Sequence, residues 1–182
     1  MARRIFVAIG ISEQLQNEIM AWEDGYRSWP VRWLQGKNLH VTLIPPWYVE
    51  DTRTVTDALS VFAKEKPCAP FALHFTEVTF GPDPRRPRLI WASGSMPREL
   101  LELKSGIENV LGQIRERRDF KLHLTLARFR EDDFPAFPIT TLDEKVVWEE
   151  SIESFVLMES HLSRSGAEYE ILARYAFTEP QS

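Results

Sequence analysis

At 182 residues the chain is long enough for one domain of ordinary size, or for two half-sized lobes sharing a core. Its 43% hydrophobic content, with 11 Phe and 6 Trp, excludes a disordered chain, and a formal net charge of −5 excludes a global pull toward nucleic acid or an anionic membrane. A lone cysteine, Cys68, excludes an internal disulfide framework and a cysteine-based zinc site, and fits a reducing cytoplasmic setting.

The opening stretch MARRIFVAIGIS sets two arginines before an apolar run, but no small-residue cleavage site follows. We read it as a first strand over 4–10. No stretch approaches the roughly 20 apolar residues of a membrane span. Ser12 is a candidate cap for a helix whose apolar positions Leu15, Ile19 and Trp22 share one face. VRWLQGKNLHVTLIP reads as extended chain, broken into two strands near Gln35-Gly36. Val55, Leu59 and Phe62 mark a second helix that ends before Pro67. PFALHFTEVTF alternates as a strand, GPDPRRP is a turn, and RLIWAS is another strand. A third helical stripe runs through Leu103, Ile107, Val110, Leu111 and Ile114. KLHLTLARF is a strand, and SFVLMESHL, SRSG and EYEILARYAF form a closing hairpin. Short strands and helices recur at matching places in the two halves with no linker between them. This predicts a single two-lobed unit over 1–182.

One figure is written twice. NLHVTLIPPWY carries His40 and Thr42, and KLHLTLARFR carries His123 and Thr125, each set between leucines. Side chains alternate along a strand, so each His and Thr share one face and their leucines fill the other. If the halves pack about an approximate two-fold axis, the pairs face each other across a cleft. Two imidazoles then suit phosphate-ester chemistry. One removes a proton from an attacking oxygen and the other protonates the leaving oxygen, while the hydroxyls hold non-bridging oxygens. Two imidazoles of ordinary pKa place the optimum of such a site near neutrality. The commoner role of any lone His-x-Thr is a half-buried strand pair. A third copy, His74 and Thr76 in LHFTEV, has Glu77 where the second leucine belongs and reads as structural. His161, beside the last turn, reads as a surface residue. Four histidines without a cysteine cluster supply no recognisable metal ligand set, so no metal or other cofactor is expected.

RRIFVAIGI, VRWLQGKNLHVTL, PDPRRPRLIWAS, KLHLTLARF and ESHLSRSGAEYEILARYAF together resemble segments of the two-histidine phosphoesterases, over nearly the whole chain. The resemblance is to their RNA 2′,3′-cyclic phosphodiesterase branch, often called 2′-5′ RNA ligase. It implies an α+β fold, two lobes of antiparallel sheets flanking a central cleft with helices outside. It also implies metal-free hydrolysis of RNA terminal 2′,3′-cyclic phosphates to 2′-phosphates. His40 and His123 would be catalytic, and Thr42, Thr125 and Arg128 would bind phosphate. One departure stands out. Pro45 occupies the position of a family Phe that lies by the bound base. Trp47 or Tyr48 is then the candidate stacking face, with covering of the core as the competing role for Trp47.

Basic residues cluster at Arg115, Arg117, Arg118, Lys121, Arg128 and Arg130, and again at Arg85, Arg86 and Arg88. Such patches suit an RNA backbone, though a solvated helix end or turn is the ordinary role of any one arginine. The expected partners are RNA ends, tRNA among them, or cyclic-phosphate nucleotides, met by a cytoplasmic monomer. Two classes stay open at this stage: an enzyme, whether hydrolase or 2′-5′ ligase, and a module that binds RNA ends or nucleotide phosphates without turnover. Which histidine is acid and which is base is also open.

Overall fold

The computed structural model describes residues 2–113, 120–163 and 166–178. The elements in order are β1 (Arg3–Gly10), α1 (Glu13–Glu23), β2 (Arg32–Trp33), β3 (His40–Val49), α2 (Thr52–Glu65) and β4 (Phe71–Gly81). They continue with β5 (Leu89–Ser93), α3 (Arg98–Leu111), β6 (His123–Arg128), β7 (Asp143–Ile152), β8 (Ser154–Ser163) and β9 (Gly166–Ala176). They build two antiparallel sheets, a four-stranded one in the order β3-β1-β8-β9 and a five-stranded one in the order β2-β6-β5-β4-β7. The α+β, two-sheet architecture is the expected one. The two copies of the motif lie one in each sheet, on β3 and β6.

Local chemistry accounts for the helix boundaries. The Ser12 Oγ accepts the Leu15 amide at 3.3 Å, as a cap should, and donates to Glu150 Oε2 at 2.8 Å. The start of α1 is thereby tied to β7 of the five-stranded sheet. Burial raises the Glu150 carboxyl above its ordinary pKa, and the two Ser12 hydrogen bonds oppose that rise. Asp51 caps α2 by accepting the Arg53 amide at 2.9 Å. Gly112 ends α3 at φ 60°, a conformation that strains any residue with a Cβ.

The leucines of both motifs go where alternation sends them. Leu39, Val41, Leu43, Leu122, Leu124 and Leu126 are all buried in one core cluster, together with Leu15 and Ile19 of α1 and Leu59 and Phe62 of α2. On the opposite face of the four-stranded sheet, Phe6, Ala8, Val156 and Met158 form a second, smaller cluster covered by Tyr169. His40 belongs to that face, since Val41 and Leu43 point the other way.

Two features depart from the sequence reading. β7 is an unforeseen strand at the edge of the five-stranded sheet. Its outward positions, among them Lys145, Val147 and Glu149, are exposed, while Trp148, Glu150 and Ile152 turn inward. A buried carboxylate among the inward residues hides the alternation. β3 also runs through Pro45 and Pro46, which are tolerated because β3 is an edge strand and a missing amide there costs no ladder bond. The break foreseen near Gln35-Gly36 is a single 3-10 turn over Gly36–Asn38. Ile114 and the basic residues Arg115, Arg117 and Arg118 lie outside the described residues.

Candidate active site

The two motifs share a local geometry as well as a sequence. His40 Nδ1 lies 2.7 Å from the Asn38 carbonyl oxygen, and His123 Nδ1 lies 2.9 Å from the Lys121 carbonyl oxygen. In each case the partner is the backbone two residues earlier. A carbonyl only accepts, so each Nδ1 carries the hydrogen and each Nε2 is left for chemistry. On β1, Gly10 stands opposite His40 and Ala8 opposite Thr42. On β5, Ser93 stands opposite His123 and Trp91 opposite Thr125. β3 and β6 lie against each other, which brings the two pairs to one cleft.

The surroundings of the two rings differ. His40 packs between Phe6 and Tyr169, with ring centroids 5.0 Å away in both cases and the tyrosine edge-on at 87°. His123 has one aromatic neighbour, Trp91, at 5.0 Å and 51°. Part of His40 stays accessible, yet enclosure of its ring is the largest cause of a pKa pushed down to about 4. The hydrogen bond to Asn38 opposes the fall, and the positive charges of Arg128 and His123 add to it. His40 is therefore a neutral imidazole at neutral pH, with its Nε2 lone pair available. Arg128 and His123 both stand on β6, the strand packed against β3.

Thr42 and Thr125 are half-buried beside their histidines. Arg128 is exposed at the end of β6, opposite Arg32 on β2. Arg32 and Arg128 line a cavity of about 150 Å³ with Trp33, Asn38 and Tyr169. A second cavity, of about 360 Å³, adjoins His123. A third, of about 740 Å³, lies between α2 and α3, lined by Phe62, Cys68 and Leu103, and neither histidine reaches it.

Other expected residues fall elsewhere. Trp47 stands opposite Ile5 and packs on the main core, on the face away from His40, so its competing role is the one observed and it offers no stacking face to the cleft. The cause is parity: Trp47 is odd-numbered like Val41 and Leu43, and the two one-residue shifts of the β1–β3 ladder together restore the alternation, so it turns inward with them. Tyr48 is 65% exposed, eight positions along the strand from His40. His74 is exposed at the end of β4 beyond the β5 pairing, with Nδ1 3.7 Å from Glu149. Arg86 pairs with Glu131 at 2.6 Å, and Arg130 lies 3.8 Å from Asp132. His161 is exposed and, with Glu159 and Glu170, forms a group whose ligand atoms lie within 4.8 Å of one another. Arg3 already hydrogen-bonds Glu159 there. Sequence reasoning missed Phe6, Tyr169 and Trp91: Phe6 and Trp91 stand on the strands paired with β3 and β6, Tyr169 reaches His40 from β9 at the far edge of the same sheet, and no local spacing signals either.

The sequence profile of the 2′-5′ RNA ligase superfamily matches residues 11–164. The chain belongs to that superfamily. Both copies of the motif lie within the matched residues. The chain is 28% identical over 177 residues to the RNA 2′,3′-cyclic phosphodiesterase of Archaeoglobus fulgidus, covering 93% of this chain and 97% of the relative. E. coli LigT, solved in complex with 3′-AMP, superposes with a TM-score of 0.77 at 24% identity, over 98% of this chain and 100% of that one. TT0787 of Thermus thermophilus does so with a TM-score of 0.77 at 21% identity, over 96% and 97%. At those identities the structures establish a shared fold. No helix among the described residues is long and apolar enough to cross a membrane.

Proposed function

We propose that the protein hydrolyses the terminal 2′,3′-cyclic phosphate of RNA to a 2′-phosphate, using its own side chains as acid and base. The observation that carries this reading is the matched pair of imidazoles, each tethered through Nδ1 and each free at Nε2. A module that only bound phosphate would need donors, not a neutral base held opposite a second imidazole. The name of the Archaeoglobus relative supports the substrate.

In this mechanism His40 is the base. Its depressed pKa keeps it neutral, and its Nε2 takes a proton from water as the water oxygen bonds to phosphorus. The bond from phosphorus to O3′ breaks, and His123, entering protonated, donates from Nε2 to O3′. Thr42 and Thr125 donate hydrogen bonds to non-bridging oxygens, and Arg128 compensates the charge that gathers there. Each proton transfer is worth roughly 10²–10⁴ in rate. The superfamily's description favours a second reading, the making or breaking of 2′-5′ linkages. It uses the same groups with a ribose hydroxyl in place of water.

The test is single-turnover conversion of an oligoribonucleotide ending in 2′,3′-cyclic phosphate, run with EDTA and followed by mass. We expect one water to be added and a 2′-phosphate to appear. Tight binding without turnover would leave the binding module as the correct reading, and rescue by a divalent ion after chelation would overturn the metal-free mechanism.

A further inference from the structure

The five-stranded sheet presents more than His123 and Thr125 to the cleft. Its register sets two rows across the strands. The first runs from His123 to Ser93, Glu77 and Lys145, and the second from Thr125 to Trp91, Thr79 and Asp143. Both rows are hydrogen-bonded. Ser93 Oγ donates to Glu77 Oε1 at 3.1 Å, and Lys145 Nζ donates to Glu77 Oε2 at 3.3 Å and to Asp143 Oδ1 at 2.7 Å. The Trp91 indole N–H donates to Thr79 Oγ1 at 2.9 Å. Next to that nitrogen, Cε2 and Cζ2 of the indole lie over Gly81, where a Cβ would come within 2.4 Å of Cε2. The indole is thus held by its Nε1 hydrogen bond in a space that the bare backbone of Gly81 leaves open. Glu77 is held by one donor on each oxygen, and each oxygen keeps a lone pair.

Of these, His123, Ser93, Glu77, Trp91 and Thr79 line the cavity of about 360 Å³, with Met96 and Phe120 adding apolar wall and Lys121 a cation. Two inter-strand spacings, roughly 10 Å, separate the His123 position from that of Glu77. That span is comparable to the distance from a nucleotide's phosphate to the far edge of its base. On the four-stranded sheet near His40, Trp47 turns to the core, Phe6 is fully buried and Tyr169 is spent edge-on against the His40 ring.

We propose that this cavity is a nucleobase subsite in which Trp91 stacks the base and Glu77 reads its edge, with a preference for guanine. The inference rests on the phosphodiesterase reading for the placement of the phosphate. A flat indole accepts any base, because every base has a π face. A fixed carboxylate does not, because it only accepts hydrogen bonds. Guanine alone presents adjacent N1–H and N2–H donors that match two carboxylate oxygens. Adenine and cytosine offer one amino group beside a ring acceptor, and uracil offers one N–H between two carbonyls that a carboxylate repels. The residues adjoin His123, so the base recognised is one whose phosphate sits between the histidines.

The experiment compares kcat/KM for the four nucleoside 2′,3′-cyclic phosphates in wild type, Glu77→Gln, Trp91→Phe and Trp91→Ala. Wild type is expected to favour guanosine over uridine by at least about tenfold, the scale of one good base-edge contact. Glu77→Gln should collapse that ratio toward one. Trp91→Phe should keep it, and Trp91→Ala should raise KM for all four nucleotides while preserving their order. Equal wild-type rates for all four bases, or a ratio that survives Glu77→Gln, would overturn the subsite. If wild type turns over none of them, the phosphodiesterase reading fails. The subsite is then judged by calorimetry with 2′-GMP and 2′-UMP, where equal affinity refutes it and guanine-selective binding lost in Glu77→Gln upholds it.

Discussion

The two halves of the cleft repeat one local design in two different environments. On β3 and on β6 a histidine is tethered to the carbonyl two residues back, with a threonine two residues on and leucine-rich alternation behind. The four-stranded sheet then encloses His40 between Phe6 and Tyr169, whereas the five-stranded sheet sets His123 beside Trp91 at the mouth of a cavity. The motif fixes the tautomer and the direction of Nε2. The surrounding sheet sets the cost of carrying charge. A duplicated motif can therefore yield unlike chemical partners, and general acid–base catalysis at one phosphate needs that difference.

The largest test removes one member of the pair. His40→Ala and His123→Ala are each expected to lower kcat on a cyclic-phosphate RNA by at least about a hundredfold, one proton transfer apiece. The double variant should be little worse than either single one, because groups that act as a unit lose their function together. His74→Ala, in the third copy of the figure, should stay near the wild-type rate. A loss at His74 equal to that at His40 would dissolve the distinction between the two cleft copies and the exposed one.

A finer test reads the asymmetry as a pH profile. His40 acts as a base only when neutral, so kcat/KM should fall on the acid side as pH drops through about 4, well below the ordinary histidine range. The acid flank thus lies below the one expected from an ordinary imidazole, and enclosure of the His40 ring is the reason. Arg128 lends positive charge to that depression from the opposite half. Arg128→Gln should move the acid flank upward by a fraction of the distance to 6.5, because burial remains the larger cause, and should also raise KM. An acid flank near the ordinary histidine value in wild type would mean that His40 is not the enclosed base.

Much of this was legible in the chain. The Ser12 cap, the helix limits before Pro67 and the inward leucines of both motifs follow from local chemistry and from the period of two. So does the shared face of each His and Thr. Register was not legible. β7 is masked in the sequence because Glu150, which belongs to the Ser12 cap, occupies an inward position, whereas the inward turn of Trp47 follows from the alternation that buries Val41 and Leu43. Phe6 and Trp91 reach the histidines from neighbouring strands, Tyr169 reaches His40 from β9 at the far edge of the sheet, and Glu77 reaches the cleft only through the order β6-β5-β4. Local pattern tells which face a residue takes. It does not tell which strand lies next door.

The smallest expected effect separates the halves in stability. In the unfolded chain His40 titrates near 6.5, and in the folded protein near 4. Between those values the unfolded state binds the proton and the folded state does not, so stability is full above about pH 6.5 and declines as pH falls toward 4. The whole shift corresponds to an upper bound of roughly 3 kcal/mol, which the ring's partial solvent access reduces to about 1–2 kcal/mol. Glu23 works in the opposite sense. Burial first, and then the nearby charge of Asp24, raise its carboxyl to about 7, so the stability tied to its protonated form is present at low pH and lost as pH rises through about 4.5 to 7. A wild-type curve alone therefore mixes two slopes of opposite sign. The informative quantity is the difference between wild type and His40→Gln in urea unfolding at about pH 7.5 and about pH 4.5, where Glu23 cancels. The variant should gain on wild type by about 1 kcal/mol as pH falls between those points. A difference independent of pH would show that the His40 ring is as well solvated folded as unfolded, and the contrast between the two halves would then have to come from something other than enclosure.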